Sequence, residues 1–291
     1  MSKLPILQYL SATALLTAPL MGTTLVNDNF ANVTVNGSGA TQTASSSGYT
    51  YQQVSGSNLY SNTVDDSGAL SISGANNIVG YMSFQQITLA ETGDYISLSF
   101  DINYPAGPTD TNSGLRYGLY TILNSIDTAM GSNVTASPDF DTATGYYLSM
   151  NPGGTGAAWS QGSSNINKDL GNQTSAWIAV TGGSGTTTVG SHASATTFGT
   201  ETQTANFTVT RTESGVTISN SIVGEFISNN DTSGAYYTYD TFFFGTGSSS
   251  GAWDMGNLTI ETNVSIPEPS TVAILAGLAS LCVVVIRRRI R

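Results

Sequence analysis

The sequence predicts an all-β protein, a two-sheet antiparallel β-sandwich flanked by an apolar helix at each end. Three observations carry this. The longest periodic stretch, "GDYISLSFDINYPAG", alternates Ile96, Leu98, Phe100, Ile102 and Tyr104 with Ser97, Ser99, Asp101 and Asn103, the period of a strand with one buried face. The connectors between such stretches are built from Gly, Ser, Asn and Thr at the spacing of short strands and turns. No repeat of fixed period runs through the chain, which argues against a propeller or a β-helix.

The elements follow in order. In residues 1–22, Lys3 precedes an apolar stretch from Leu4 to Leu20, broken by Pro5 and Pro19, and small residues follow from Gly22 to Thr24. This is the layout of a secretory signal peptide, with its helix cut near residue 22. Residues 23–264 read as one β-sandwich domain, because no Pro-rich or charged linker divides them. In "ALSISG", Leu70 and Ile72 share a face. The strand around Phe100 is bounded by Gly93 and Pro105, and "GLRYGLYTIL" places Leu115, Tyr117 and Leu119 on one face. "GYYLSMNPGG" runs into a turn at Asn151-Pro152-Gly153-Gly154. The stretch 151–200 is the least strand-like and predicts long loops around one or two strands near Trp177–Val180. "ANFTVTRTESGVTISNSIVG" reads as a hairpin, with Phe207 and Val209 on one strand, Val216 and Ile218 on the next, and the turn at Glu213-Ser214-Gly215. "YYTYDTFFFGTG" is apolar on both faces, so it belongs in the middle of a sheet covered on both sides. "WDMGNLTIETN" supplies a last strand through Leu258 and Ile260.

Only 9% of the 291 residues are charged, well below the quarter usual in soluble domains. Tyr 14 and Phe 10 nevertheless provide a core, so the chain does not read as disordered. Five of the eight basic residues lie in the terminal segments; residues 23–266 keep only Arg116, Lys168 and Arg211 against eighteen acids, a formal net charge of −15. A body that acidic repels phosphate backbones, which excludes nucleic acid as a partner, and it suits an extracellular protein or one that attracts cations. The single cysteine, Cys282, lies in the C-terminal apolar run, so the body has neither a disulfide nor thiol chemistry and depends on its core alone.

No catalytic residues are assigned. His192 is the only histidine, in the polar loop "TVGSHASATT". It cannot build a zinc site without cysteine, and no serine sits in the strand-to-helix Gly-x-Ser-x-Gly elbow of a hydrolase, the one such run, Gly247 to Gly251, being a Ser/Gly-rich connector ahead of a strand. Walker and dinucleotide-binding fingerprints are absent. Glu201, Glu213 and Glu225 are the carboxylates available to a hydrolytic pair, each in a polar segment that reads as a solvated face. No cofactor is required. Asp139 and Asp141 in "SPDFDTATG" are the candidate calcium ligands, since calcium takes loop oxygens, although Asp is also an ordinary turn residue. Trp159, in a Gly/Ser/Asn-rich segment, is the candidate sugar contact, and Trp253, before the last strand, reads as core.

The C-terminal stretch, 265–291, differs from everything between it and the signal peptide. "IPEPSTVAILAGLASLCVVVIRRRIR" joins Pro267-Glu268-Pro269 to an apolar run of sixteen residues, 271–286, and then to Arg287, Arg288, Arg289 and Arg291. As a transmembrane helix the run spans about 24 Å, short of the ~30 Å hydrocarbon core. The arginines act as a membrane stop that holds the C-terminus in the cytoplasm. This three-part pattern closely resembles the PEP-CTERM sorting signal of Gram-negative bacteria. The resemblance implies recognition by a membrane-embedded exosortase, cleavage near the motif at Pro267, Glu268 and Pro269, and a precursor held only transiently in the inner membrane. Proteins with this signal are typically exported in species that make exopolysaccharide.

A second resemblance covers the body. "NDNFAN", "GALSISG", "GDYISLSFDINY", "GLRYGLY", "GYYLSMNPG" and "WDMGNLTIET" occur in an order similar to that of concanavalin A-like jelly rolls. That fold hosts lectins, hydrolases of sugar polymers and structural modules alike. Hydrolases of the laminarinase type carry Glu-x-Asp-x-x-Glu on one strand, and no Glu-x-Asp occurs here. The expectation is therefore a non-enzymatic protein of the cell surface or extracellular matrix, carbohydrate-binding or structural, with extracellular polysaccharide as partner. The alternative is a secreted glycoside hydrolase or lyase with carboxylates from separate strands.

Overall fold

The computed structural model describes residues 22–38, 42–53, 59–60, 68–73, 78–108, 114–122, 143–150, 164–171, 185–192, 198–246 and 251–266. Within them the chain forms two antiparallel sheets. The first has the order β1 (Thr23–Asp28), β16 (Trp253–Thr262), β7 (Tyr95–Asn103), β12 (Gln203–Arg211), β13 (Val216–Ile222) and β14 (Glu225–Asp231). β5 (Ala69–Ile72) pairs with the first half of β16, where β1 stops. The second sheet has the order β11 (Thr186–His192), β10 (Ser164–Leu170), β9 (Thr144–Met150), β8 (Leu115–Thr121), β15 (Thr238–Thr246), β6 (Ile78–Thr88), β4 (Tyr49–Gln53), β3 (Thr43–Ser46) and β2 (Thr34–Asn36). The result is the predicted jelly-roll sandwich.

The alternation read from the sequence sets the inner faces. In β7, Ile96, Leu98, Phe100 and Ile102 are buried, while Ser97, Ser99, Asp101 and Asn103 point outward. Phe207, Val209, Val216 and Ile218 of the predicted hairpin line the same core, and its turn closes through Thr212 N–H to the Gly215 carbonyl at 2.8 Å. From the other sheet come Leu115, Tyr117, Leu119, Leu148, Phe242 and Phe244. Phe100 joins the two layers, with ring centroids 5.0 Å from Tyr117 edge-on and 5.8 Å from Phe242. The Tyr117 hydroxyl crosses the core to the Asn220 amide at 2.7 Å, so that β8 and β13 share a polar contact inside an otherwise apolar layer.

Asp28 ties the end of β1 to the other sheet. Its fully buried carboxylate accepts hydrogen bonds from Phe30 N–H (2.8 Å), the Ser46 hydroxyl (2.8 Å) and the Tyr51 hydroxyl (2.7 Å). Burial first, and the Asp28 charge second, push the Tyr51 hydroxyl far above the ordinary tyrosine range, so it stays a neutral donor.

Two features correct the sequence reading. The stretch 151–200, read as loops with strands near 177–180, contributes β10 and β11, while 172–184 lies outside the described residues. β10 is "SNINKDL", with little apolar alternation to read. Its buried Lys168 is held instead by tertiary partners, at 2.7 Å from the Asp231 carboxylate and 2.6 and 2.8 Å from the carbonyls of Ser233 and Gly234. Burial alone would raise the Asp231 carboxyl, but hydrogen bonds from Lys168, Tyr146 and Ser233 N–H outweigh it and hold it below the usual range. The second correction is His192, which ends β11 rather than lying in a loop.

Candidate functional site

Around β15 the second sheet buries both of its faces. Behind the main core, Val79, Tyr81, Tyr120, Ile122, Ala143, Tyr147 and Phe243 form a separate buried cluster on the outward side. Strand β15 carries both, with Phe242 and Phe244 inward and Phe243 outward. This agrees with the expectation that "TFFFG" is central and covered on both sides.

Register arranges the outward face in three cross-strand rows. The first runs Val79, Gly245, Arg116, Ser149, Asn165, Ser191. The second contains Tyr81, Phe243, Gly118, Tyr147, Asn167 and Thr188. The third contains Thr241, Tyr120, Gly145, Asp169 and Thr186. Two glycines make room for the rings. A Cβ on Gly118 would fall 2.7 Å from Tyr147 Cβ, and one on Gly145 would fall 2.7 Å from Tyr120 Cγ. Tyr120 packs edge-on against Phe243 at 4.9 Å and stacks on Tyr147 at 6.3 Å, while Tyr81 lies 5.6 Å from Phe243 and donates its hydroxyl to Gln52 Oε1 at 2.6 Å.

The first row is polar and runs from a closed end to an open one. Arg116 is 3% exposed and Ser149 1%, Asn165 is half-buried, and Ser191 is exposed. With strands about 4.8 Å apart, Arg116 to Ser191 covers roughly 14 Å. Nε and Nη1 of Arg116 and Oγ of Ser149 are buried without a hydrogen-bond partner. Burial lowers the Arg116 pKa to about 10, which leaves the guanidinium charged at neutral pH, and burial pushes the neighbouring Tyr147 up to about 12. Rings, amides, hydroxyls and a cation on one face are the groups that grip a sugar, whose ring faces are apolar and whose edges are polar.

On the outward face of the first sheet a polar pocket of about 340 Å³ is lined by Gly68, Asp101, Asn103, Thr202, Asp254 and Asn257. Asp101 accepts from Thr204 Oγ1 and Asn257 Nδ2, both at 2.7 Å, and Asp254 accepts from Ser71 Oγ at 2.7 Å. No aromatic side chain among the described residues lines this pocket. Among the described residues no three His, Cys, Asp or Glu side chains converge as a metal site.

Residues 265–289 match the family described as the PEP-CTERM protein-sorting motif. The chain ends in a PEP-CTERM sorting motif. No curated protein matches the chain in sequence. Among solved structures it is similar to the potassium-bound carbohydrate recognition domain of Emp46p, at 8% identity and a TM-score of 0.43, covering 72% of this chain and 87% of that one. It is also similar to the winged bean acidic lectin complexed with methyl-α-D-galactose, at 12% identity and a TM-score of 0.43 over 84% and 100% of the two chains. A third is a Bacillus subtilis protein with a galectin-like fold, at 11% identity and a TM-score of 0.41 over 72% and 88%.

Pro267, Glu268, Pro269, Arg287, Arg288 and Arg289 fall within the matched stretch 265–289, and with Arg291 they lie outside the described residues, as do Trp159, Asp139 and Asp141. Trp253 is fully buried, as expected of core. Glu201 and Glu213 are exposed at opposite ends of β12, about 30 Å apart along a nine-residue strand, too far to act as a pair. Glu225 opens β14. Sequence reasoning missed Arg116 as a site residue. A signal was present, since it is one of only three cations in 23–266 and stands in an otherwise apolar strand.

Proposed function

We propose that this is a non-catalytic, polysaccharide-binding protein of the cell surface or extracellular matrix. The PEP-CTERM motif marks it as exported and held in the membrane before processing. An exosortase-type enzyme then cuts near Pro267–Pro269 and frees the sandwich from its short anchor. Intact-mass spectrometry of the protein from an exosortase-positive host is expected to show loss of the peptide beyond about Pro269. A C-terminus ending at Arg291 in that host overturns the processing step.

The observation that carries the binding reading is the polar row Arg116, Ser149, Asn165, Ser191, buried at Arg116 and Ser149, half-buried at Asn165 and exposed at Ser191, beside a tyrosine cluster. Co-sedimentation of the full-length protein, in mild detergent, with insoluble and cross-linked polysaccharides of both neutral and acidic type is expected to bring it down with at least one. Failure with all of them, including the host's own matrix polymer, sinks the reading.

A hydrolytic reading rests on Asp101 and Asp254, two carboxylates on neighbouring strands in one pocket. Both are tied into the sheet by side-chain donors, and among the described residues the pocket offers no ring to seat a sugar. The binding reading is therefore preferred. Release of reducing ends from a bound polymer, abolished by Asp254→Asn, would reverse that preference.

A further inference from the structure

We infer that the folded body controls its own release: residues 263–266 are clamped to the sandwich, and the clamp opens before the sorting enzyme cuts. This rests on the processing reading and adds a regulatory step to it.

Three observations lead there. First, the chain leaving β16 is fixed to the body. Asn263 bridges to the start of β7, accepting from Tyr95 N–H at 2.7 Å and donating its amide to the Gly93 carbonyl at 3.0 Å. Val264 N–H donates to the Thr262 hydroxyl at 3.1 Å, and that hydroxyl donates to the Tyr95 carbonyl at 2.6 Å. Val264 and Ile266 are half-buried and pack against the main core. The attachment therefore runs to Ile266, the residue before Pro267.

Second, the clamp leaves little chain between the body and the bilayer. Only Pro267, Glu268, Pro269 and Ser270 separate Ile266 from Thr271, where the apolar run begins. Even fully extended, the steps from Ile266 to Thr271 reach about 18 Å. The headgroup layer takes up roughly 5–7 Å of that. A soluble domain of ~100 residues has a radius of gyration of about 13 Å, so the gap does not admit one. It suits an enzyme seated in the membrane.

Third, the clamp occupies the residues such an enzyme has to grip. Extended peptides are held along several residues, backbone and alternate side chains together. On the body side of a cut near Pro269 these include Val264 and Ile266, which the core already holds. They cannot lie in a cleft and on the sandwich at once. A site protected in this way is cut from its transiently opened state, at a rate that follows the population of that state. Opening deprives Tyr95 N–H and the Gly93 carbonyl of the Asn263 side chain and exposes two apolar side chains. It is a local event, because Thr262 stays paired with Thr23 of β1 and Ile96 of β7. The cut itself breaks one peptide bond, the acyl carbon passing to a nucleophile, water in the simplest case, and the amine leaving with the anchor peptide.

The test follows conversion of the full-length precursor to the mature form by pulse-labelling in an exosortase-positive host. Asn263→Ala removes the two side-chain hydrogen bonds of the clamp and is expected to speed conversion by about fivefold or more. A flexible Gly/Ser spacer of about six residues inserted between Ile266 and Pro267 is expected to speed it as much, because it moves the cut away from the clamp and leaves every residue of the body in place. Trp253→Phe is the control, since it weakens the body at the other end of β16 and leaves the clamp intact. It is expected to convert at the wild-type rate. Thermal unfolding of the purified variants verifies that each is folded. An unchanged or slower rate in the spacer variant, or in a folded Asn263→Ala protein, overturns the clamp while leaving processing in place. Equal acceleration by Trp253→Phe also overturns it, by assigning the barrier to unfolding of the whole body. Conversion of no form at all, wild type included, overturns the processing reading and this one with it.

Discussion

Replacing Gly118 with alanine is expected to cost more than about 3 kcal/mol, and with valine to abolish the folded state. A Cβ at this position would lie 2.2 Å from the Tyr146 carbonyl oxygen and 2.6 Å from Tyr147 Cα. Both are backbone atoms of β9, hydrogen-bonded in register with β8 through seven consecutive pairs. They cannot move aside as a flexible side chain would, so the only relief is to part the two strands in the middle of the sheet. Overpacking in a filled core costs 1–3 kcal/mol where side chains can adjust, and a clash with fixed backbone lies above that range. Gly199 is the control, because a Cβ there meets only Glu201 N at 3.9 Å and its φ is not in the left-handed region. Gly199→Ala is expected to stay within ~0.5 kcal/mol. Urea unfolding followed by tyrosine and tryptophan fluorescence measures both. Equal midpoints for the two variants would mean that the β8–β9 spacing described here is wrong.

Trp253→Ala is expected to destabilise by about 3–5 kcal/mol, the range for removing a large buried ring. Trp253 is fully buried at the start of β16, paired with Ile72 of β5, and meets Phe244 edge-on at 6.4 Å. It therefore holds the short strand β5 and the nine-stranded sheet against the same point. Its indole Nε1 is buried without an acceptor, so this polar atom contributes nothing to offset its desolvation. Trp253→Phe keeps a ring and removes that donor, and it is expected to cost less than half as much as the alanine change. The same unfolding experiment decides. If phenylalanine is as damaging as alanine, the indole nitrogen has a partner after all and the core at this corner is polar.

How much of this was legible in the chain depended on whether a residue's role was local. The inner face of β7 was legible residue by residue, because Ile96, Leu98, Phe100 and Ile102 share one side of any extended chain. The burial of Phe243 on the far face was legible too, since three consecutive phenylalanines leave no polar side to present to water. β10 was not legible, because its Asn167, Lys168 and Asp169 look solvated until Asp231 and the Ser233 carbonyl are brought beside the lysine. Nor was β6, whose eleven residues mix Gly80, Gln85 and Gln86 into an apolar run without clean alternation.

The sequence by itself determined the sandwich, through period-two alternation and turn-rich connectors. It also determined the address, through a Pro-Glu-Pro triplet, an apolar run and an arginine stop, and the charge of its body argues against nucleic acid. Each of these is a property of neighbouring residues or of a sum over the chain, and needs no partner from elsewhere. Only the tertiary structure decided that Gly245, Arg116, Ser149, Asn165 and Ser191 form one row. Those residues come from five strands, and strand register is set by packing across the whole sheet. Alternation states which side of a strand faces water but not which side chain of another strand will lie next to it.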